Sequence, residues 1–286
     1  MHKKAFPACY PLITWLRLNQ SFSFSPYFRR TQKVGFHLSS SSEQLNYSWA
    51  ETIIRKYIPE SGIDLVAEIG SRDALDGIAL SKFYGCPALI FEPDPLNVEL
   101  CRENIAKCPE SLNLQLFEVA LSEQSGVIDF YSIDPKLYSN RGSSGMYQIN
   151  FRKRNRRDLD RNRDSVQRKV IVQASRFEDL ELPTPDLIAI DVEGAELSVF
   201  KGFGGKLVDV KVIIAETSFW NNHIGGGSTF PEINQFLSEM GFEFIASNRR
   251  HTRQFPKQHL RHRLRKRYQP AFDVVYINRR FLITTS

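Results

Sequence analysis

The sequence lacks any apolar segment long enough to cross a membrane as a helix, and it also lacks paired cysteines. A membrane-spanning helix needs about 20 consecutive apolar residues, and no run in the 286 residues approaches that length. The four cysteines form no Cys-x-x-Cys pair and no spacing typical of metal ligands. These absences argue against a membrane-spanning protein and a cysteine-based metal domain, and a cytoplasmic location is expected.

Acidic residues are missing from two basic segments of the chain. Residues 1–42 carry six Lys or Arg side chains and no acid, and residues 249–267 carry nine and no acid. Residues 152–169 carry nine Lys or Arg against three Asp. These three segments carry net charges of +6, +9 and +6, so the net charge of +6 for the whole chain leaves −15 for the remaining residues. Such basic clusters favour anionic partners, and the alternative is a set of solvated surface arms.

The pattern of apolar residues divides the chain into an extension and one large domain. Residues 1–43 show no sustained helix or strand period, and prolines interrupt their apolar part, so a secretory or transit signal is not favoured. We predict a basic N-terminal extension at 1–43. The domain is predicted at 44–286, with basic insertions at about 134–169 and 248–270.

From residue 44 onward, short apolar runs alternate with segments of helical spacing. Strands are predicted at 63–69, 88–91, 114–119, 127–133, 170–173, 187–190, 212–215, 242–245 and 273–277. Helices are predicted at 51–57, 75–84, 97–107, 195–200 and 233–240. This alternation is typical of an α/β fold with a doubly wound, mostly parallel twisted sheet and helices on both faces.

The most informative motif is DLIAIDVEGAELSVF, at residues 186–200. The apolar run 187–190 suits a strand buried on both faces of a sheet, and Asp191, Glu193 and Glu196 follow it directly. In open α/β sheets, ligands bind beyond the carboxyl ends of the strands. The three acids are therefore predicted to lie at a binding site. The alternative is that they only stabilise the N-terminus of the next helix.

Three other predicted strands end in residues that suit a nucleoside. Gly70 allows a sharp turn after the first strand, but the further glycines of a dinucleotide-binding turn are absent. Glu92 ends the second strand, where a carboxylate can accept both ribose hydroxyls, and Pro93 stiffens its loop. Asp94 is predicted to cap the next helix. Glu118, at the third strand, lies either beside an adenine ring or at the surface.

These segments resemble the FkbM family of S-adenosylmethionine-dependent methyltransferases. The resemblance lies in EIGSRD (68–73), FEPDPLNVELCRENI (91–105), VALSEQSG (119–126) and DLIAIDVEGAELSVFKGF (186–203), of which IDVEGAE is the most specific. It implies a Rossmann-like fold whose last strand is antiparallel, S-adenosylmethionine as the cofactor, and methylation of an oxygen. The glycine turn of the family often has a further glycine near the position of Ala74.

The resemblance also implies roles for individual residues. Glu68, Gly70 and Ser71 would border the methionine part of the cofactor, Glu92 and Pro93 the ribose, and Glu118, Val119 and Ala120 the adenine, while Asp191 would face the reacting centre. The acid Glu68 suits a ligand with a positive amino group better than a phosphate.

A hydroxyl acceptor must lose its proton during methylation, and this step calls for a base within hydrogen-bond reach. Asp191 is the first candidate for that base, with Glu193 beside it. His223, in a loop with features of a mobile lid, is the second candidate, and the alternative is a loop histidine without a role. Clustered acids can also hold Mg²⁺, but a metal-free site is expected.

The segment NRGSSGMY (140–147) and the Arg-rich tract after it interrupt the sheet where they can cover an acceptor pocket. Arginine suits phosphate or carboxylate, so a small-molecule or glycan acceptor, including an anionic one, is expected. An RNA-binding protein or RNA methyltransferase that uses the basic tracts is the alternative. A nucleoside-binding module without catalysis is a third interpretation, against which Asp191 argues.

Overall fold

The computed structural model describes residues 47–137, 141–150, 166–248 and 271–282. The predicted extension at 1–43 lies outside these residues, as do half of the basic insertion at 134–169 and nearly all of that at 248–270. In the described part of the chain, no helix is both long and apolar enough to cross a membrane.

Twelve strands and five α-helices are found in the described residues. The strands are β1 (Val66–Ile69), β2 (Ala88–Phe91), β3 (Leu114–Phe117), β4 (Ala120–Leu121), β5 (Gly126–Ile133), β6 (Gln148–Ile149), β7 (Gln167–Ser175), β8 (Leu187–Ile190), β9 (Val212–Thr217), β10 (His223–Ile224), β11 (Phe242–Ser247) and β12 (Phe272–Asn278). The helices are α1 (Ser48–Ile54), α2 (Leu75–Tyr84), α3 (Pro95–Ile105), α4 (Glu196–Gly202) and α5 (Phe230–Glu239).

Seven strands form the central sheet, in the order β11-β12-β9-β8-β1-β2-β3. The strand β1 pairs in parallel with β2 and β8, while β3 and β9 extend the parallel region on either side. The strand β12 lies between β9 and β11 and is antiparallel to both. This topology confirms the predicted Rossmann-like fold with an antiparallel last strand.

Both faces of the central sheet are covered. All four residues of β1, β2 and β8 are buried. Because successive side chains in a strand point to opposite faces, Ala67 and Ile69 join an apolar cluster with α4 and α5, whereas Val66 joins one with α1, α2 and α3. Burial on both faces explains why β2 and β8 are continuous apolar runs in the sequence. The strand β1 is interrupted by the buried acid Glu68.

A separate three-stranded sheet lies beside the central one, in the order β4-β7-β5. The strands β5 and β7 are antiparallel over eight residue pairs. The sequence predicted both strands but not that they form a sheet of their own. It placed the start of β7 at 170 rather than 167, because the charged residues Arg168 and Lys169 occupy its exposed beginning. The short β6–β10 ladder was not predicted.

The start of α3 follows from its cap. The helix begins at Pro95, two residues before the predicted start, and proline is well suited to the first helical turn. Oδ1 of Asp94 accepts a hydrogen bond from the backbone N of Leu96 at 3.0 Å. This contact shows the predicted cap in place. It also fixes the chain directly after Glu92, at the carboxyl end of β2.

Candidate active site

A pocket opens where the carboxyl ends of β1, β2 and β8 meet. The empty space within it, together with open solvent at its mouth, is about 480 Å³. The pocket joins Glu92 to Asp191, the two side chains on which the sequence hypothesis depends. The predicted site residues that line it are Gly70, Glu92, Pro93, Val119, Ala120 and Asp191.

The Glu92 carboxylate is fixed by backbone hydrogen bonds. Its Oε2 accepts from the backbone N of Arg72 and its Oε1 from the backbone N of Asp94, both at 2.7 Å. Burial raises the pKa of Glu92 to about 7, against the opposing effect of these two donors. The side chain of Asn97, which also lines the pocket, donates a further hydrogen bond to this carboxylate. A carboxylate has about four lone-pair sites, so acceptor capacity remains for a ligand hydroxyl.

Gly70 allows the ends of β1 and β8 to approach each other closely. Its φ of +82° is in the left-handed region. A Cβ atom at this position would overlap the backbone oxygen of Asp191 and lie 2.9 Å from Cγ1 of Val192. Arg72 and Ala74 follow with φ values of 59° and 65°. Ala74 therefore has a left-handed backbone conformation, which glycine adopts more readily than alanine.

Glu68 and Ser71 are buried but do not line the pocket. Oε2 of Glu68 accepts from the backbone N of Gly77 at 2.9 Å, and burial raises the pKa of Glu68 well above its usual range. Oγ of Ser71 accepts from the backbone N of Ala74 at 2.7 Å. Both side chains therefore hold the turn between β1 and α2. Their contact with a bound ligand remains a prediction.

Apolar side chains and a glycine-rich segment form the remaining walls. Phe91, Leu121 and Phe130 line the pocket beside Val119 and Ala120. Part of the insertion after β5 covers it, as its position in the sequence predicted, through Gly142, Ser144, Gly145 and Met146. We call residues 142–146 the covering segment. Phe130 was missed because nothing in the sequence indicates that the separate β4-β7-β5 sheet borders the site.

Glu118 does not line the pocket. Its carboxylate pairs with Arg102 of α3, and its side chain is 42% exposed. Of the two alternatives for Glu118, the surface acid agrees with this position. Its neighbours Val119 and Ala120 do line the pocket.

Of the three acids that follow β8, Asp191 is the one that lines the pocket. Its Oδ1 atom is buried and has no hydrogen-bond partner within the described part of the chain. Its carboxyl group is within hydrogen-bonding reach of Glu216 at the end of β9. Burial raises the pKa of Asp191 well above its usual range, and the carboxylates of Glu216, Glu193 and Glu196 add to the shift. Sequence reasoning missed Glu216. The signal for it is its position directly after the predicted strand at 212–215, as Asp191 directly follows the strand at 187–190.

Glu193 and His223 contact each other outside the pocket lining. Nε2 of His223 lies 3.4 Å from Oε2 of Glu193, and the two side chains are only 9% and 12% exposed. A Cβ atom on Gly145 would lie 3.2 Å from Cβ of Glu193, so the pair packs behind the covering segment. The catalytic roles of Glu193 and His223 therefore remain predictions.

Glu196 closes the N-terminus of α4. Its Oε1 accepts from the backbone N atoms of Val192 and Gly194, at 3.3 and 3.1 Å, and Oγ of Ser228 donates to its Oε2 at 3.2 Å. These contacts support the alternative that Glu196 is a helix-terminal acid. Across the described ranges, no group of three or more His, Cys, Asp or Glu side chains is arranged to hold a metal ion.

The loop at 218–229, in which the flanks of His223 at 220–222 and 225–227 were predicted to form a lid, is tied to the insertion that carries the covering segment. The strand β10 of this loop pairs with β6, and the backbone N of Asn150 donates to the oxygen of Asn222 at 2.9 Å. The Tyr147 ring packs on Gly226, where a Cβ atom would lie 2.6 Å from Cζ of the tyrosine. A movement of the loop would therefore also move the segment next to the pocket.

Comparison with known proteins gives sequence matches to methyltransferases. Residues 64–244 match the family model described as the Methyltransferase FkbM domain. The 2-O-methyltransferase NoeI of Sinorhizobium fredii (strain NBRC 101917 / NGR234) is 30% identical over 163 residues. That match covers 54% of this chain and 63% of NoeI, so the chain spans less than two thirds of the length of this relative.

Solved structures of similar fold include two methyltransferases. Methyltransferase FkbM from Methylobacillus flagellatus KT has a TM-score of 0.42 and 10% identity, over 78% of this chain and 50% of that one. Streptococcus pneumoniae Sp1610, a putative tRNA (m1A22) methyltransferase in complex with S-adenosyl-L-methionine, has a TM-score of 0.41 and 11% identity, over 80% of this chain and 71% of that one.

Proposed function

This chain belongs to the FkbM methyltransferase family, and from that premise we propose that it methylates a hydroxyl oxygen of a glycan or natural-product acceptor. The methyl donor is S-adenosylmethionine. The observation that carries the proposal is the pocket that joins Glu92 to the unpartnered Oδ1 of Asp191. The name of NoeI, a 2-O-methyltransferase, supports oxygen as the accepting atom.

The pocket lining fits the chemical parts of this donor. The Glu92 carboxylate can accept a ribose hydroxyl, since its lone-pair sites, about four in number, are only partly used by two backbone N atoms and by the Asn97 side chain. Val119, Leu121 and Phe130 offer an apolar surface for a planar base. When bound, S-adenosylmethionine supplies an electrophilic methyl group on its sulfonium.

The residues of the chain then have two tasks, to orient the acceptor and to take its proton. Holding two reactants in line removes much of the entropic barrier to a displacement. Asp191 lines the pocket with a buried oxygen that has no partner, so it is placed to accept the hydroxyl proton. The covering segment lines the same cavity, and in the proposed reaction it would limit the access of water.

The charges around Asp191 restrict the acceptor. Glu193, Glu196 and Glu216 all raise the pKa of Asp191 through their negative charge. A negative group on the acceptor close to the reacting hydroxyl would be repelled by the same carboxylates. We therefore expect the acceptor to be neutral or cationic near that hydroxyl, and any anionic group to lie further away.

Cofactor binding tests the assignment of Glu92. The affinity for S-adenosylhomocysteine is measured by calorimetry at pH 6 and pH 8, with Glu51→Gln as the control, because Glu51 is a buried acid that does not line the pocket. Glu92→Gln should weaken binding at least tenfold at pH 8, the scale of a hydrogen bond to a charged group. The wild type should bind more tightly at pH 8, where Glu92 is ionised, and Glu92→Gln should not. Equal affinities of the two proteins would contradict the assignment.

Methyl transfer tests the proposed reaction. Purified full-length protein is incubated with radiolabelled S-adenosylmethionine and fractionated glycans, lipids and RNA. Label should enter the glycan or lipid fraction as an alkali-stable ether, and Asp191→Asn should reduce transfer at least 100-fold while the affinity for S-adenosylhomocysteine changes less than threefold. Label in RNA alone would overturn the proposed acceptor class. Unchanged transfer by Asp191→Asn would remove its role as the base.

A further inference from the structure

Three carboxyl groups lie side by side across neighbouring strands of the central sheet. Ile190 of β8 is paired with Ala215 of β9, so the next residues, Asp191 and Glu216, are adjacent. Glu216 is in turn paired with Asp273 of β12. The row begins at the pocket, because Asp191 lines it, and continues away from it along the sheet.

The Asp191 and Glu216 carboxyl groups are neighbours, because the residues that precede them are paired in the sheet. They lie within hydrogen-bonding reach of each other, while Oδ1 of Asp191 has no partner among the described residues. Two buried carboxyl groups at this distance cannot both be ionised without strong repulsion, so they share a proton. The contact therefore leaves Asp191 with one oxygen engaged by Glu216 and one available to a ligand.

We propose that Glu216 is a positioning residue for methyl transfer, which holds the shared proton and donates it in a hydrogen bond to Asp191 when the acceptor hydroxyl occupies Oδ1. This proposal rests on the proposed function of the pocket. A hydroxyl that donates to Oδ1 favours the state in which Asp191 is ionised and the shared proton resides on Glu216. Glu216 would thereby orient Asp191 and keep it able to accept a second proton.

The surroundings keep the shared proton in place through neutral pH. Burial raises the pKa of Glu216 to about 8, and the neighbouring carboxylates add to this effect. The ionisable groups that act on the pair are Glu193 and Glu196 at the start of α4, His223 beside Glu193, Asp273 on β12, Tyr47 before α1 and Arg72 after β1. Carboxylates outnumber cations in this set, so a second ionisation of the pair is opposed.

The proposed step balances without a further reactant. The acceptor oxygen bonds to the methyl carbon, and the electrons of the carbon–sulfur bond return to sulfur. The hydroxyl proton passes to Oδ1 of Asp191, while Glu216 keeps the proton that it shares. The pair then carries two protons and releases one to solvent before the next turnover.

The test replaces Glu216 by Gln and by Leu. A glutamine amide still donates to Asp191 but carries no titratable proton, whereas leucine cannot donate. Glu216→Gln should lower kcat about tenfold, change KM for S-adenosylmethionine less than threefold, and remove the alkaline limb of the pH–rate profile, because the amide still donates to Asp191 at a pH where the wild-type pair loses its shared proton. Glu216→Leu should lower kcat at least 100-fold. Glu51→Gln, a buried acid away from the pocket, should leave the limb in place.

An alkaline limb that persists in Glu216→Gln would overturn the proposal, because a purely structural residue would leave the pH dependence unchanged. A second measurement needs no acceptor. The infrared difference spectrum of the wild type minus Glu216→Gln at pH 7 should show the band of a protonated carboxyl group, since the other buried acids are common to both proteins and cancel. If that band is missing from the difference spectrum, the proposal fails whatever the acceptor is. If the band behaves as expected but no hydroxyl acceptor is methylated, the proposed function fails instead.

Discussion

Replacing Gly70 by Ala tests whether the close approach of β1 and β8 builds the pocket. Alanine in the left-handed region, here at a φ of +82°, costs about 1–2 kcal/mol. The added Cβ would also overlap the backbone oxygen of Asp191, and relieving such an overlap costs about 1–3 kcal/mol more. We therefore expect Gly70→Ala to lose about 2–5 kcal/mol of unfolding free energy.

Gly85→Ala is the matched control for Gly70→Ala. Gly85 has a φ of +63°, but no atom lies within 4 Å of the position of its Cβ, so only the backbone term of about 1–2 kcal/mol applies. Urea unfolding gives both losses, and each kcal/mol should lower Tm by about 2–4 °C in a domain of this size. Gly70→Ala should also weaken S-adenosylhomocysteine binding at least tenfold, and Gly85→Ala should not.

Two results would refute this reasoning about Gly70. Equal losses of stability in the two variants would show that the overlap with Asp191 has no energetic consequence. Native cofactor affinity in Gly70→Ala would show that the spacing of the two strand ends does not control the pocket.

Three further substitutions probe other parts of the molecule. Burial raises the pKa of Glu51 to about 7, so the folded state binds this proton more tightly than the unfolded chain does. The unfolding free energy of the wild type should therefore fall as pH rises from about 4.5 to 7. In urea unfolding, Glu51→Gln should be more stable than the wild type by up to about 3 kcal/mol at pH 8 and by little at pH 5. The Asp186 carboxylate accepts hydrogen bonds from the backbone N atoms of Asp64 and Leu65, at 2.7 and 3.1 Å, and pairs with Lys211 at 2.8 Å. These contacts lie at the ends of the strands opposite the pocket, so Asp186→Ala should lose about 2–4 kcal/mol of unfolding free energy with unchanged cofactor affinity. Unaltered stability would contradict this. Gly226→Ala should displace Tyr147 and speed proteolysis of the 218–229 loop without changing cofactor affinity, and cleavage at the wild-type rate would contradict the contact.

The sequence predicted the central sheet well because its strands are buried on both faces. The runs at 88–91 and 187–190 match β2 and β8 residue for residue, since each is apolar throughout and ends at a polar side chain. The predicted strand at 114–119 ends two residues earlier, as β3, and the short β4 that follows it was not predicted and belongs to a different sheet. Periodicity cannot show such a change of sheet, because both strands have the same apolar pattern.

The residues of the predicted site also fall into two groups, those that a strand end indicates and those that depend on how the sheets pack. Gly70, Glu92 and Asp191 were found because each directly follows a buried strand, and the parallel register brings these strand ends together. The covering segment was expected only from its place in the chain. Phe130 was not found, because its position in the pocket depends on how the separate β4-β7-β5 sheet packs, and Glu216 was passed over although it ends a strand of the central sheet.

A crystal structure of the full-length protein with S-adenosylhomocysteine tests the central claim most directly. The account predicts that both ribose hydroxyls lie within hydrogen-bond distance of the Glu92 carboxylate, with the adenine against Val119 and Leu121. It also predicts that the sulfur atom lies on the side of Asp191. A ribose that makes no contact with Glu92, or a ligand bound outside this pocket, would contradict the account.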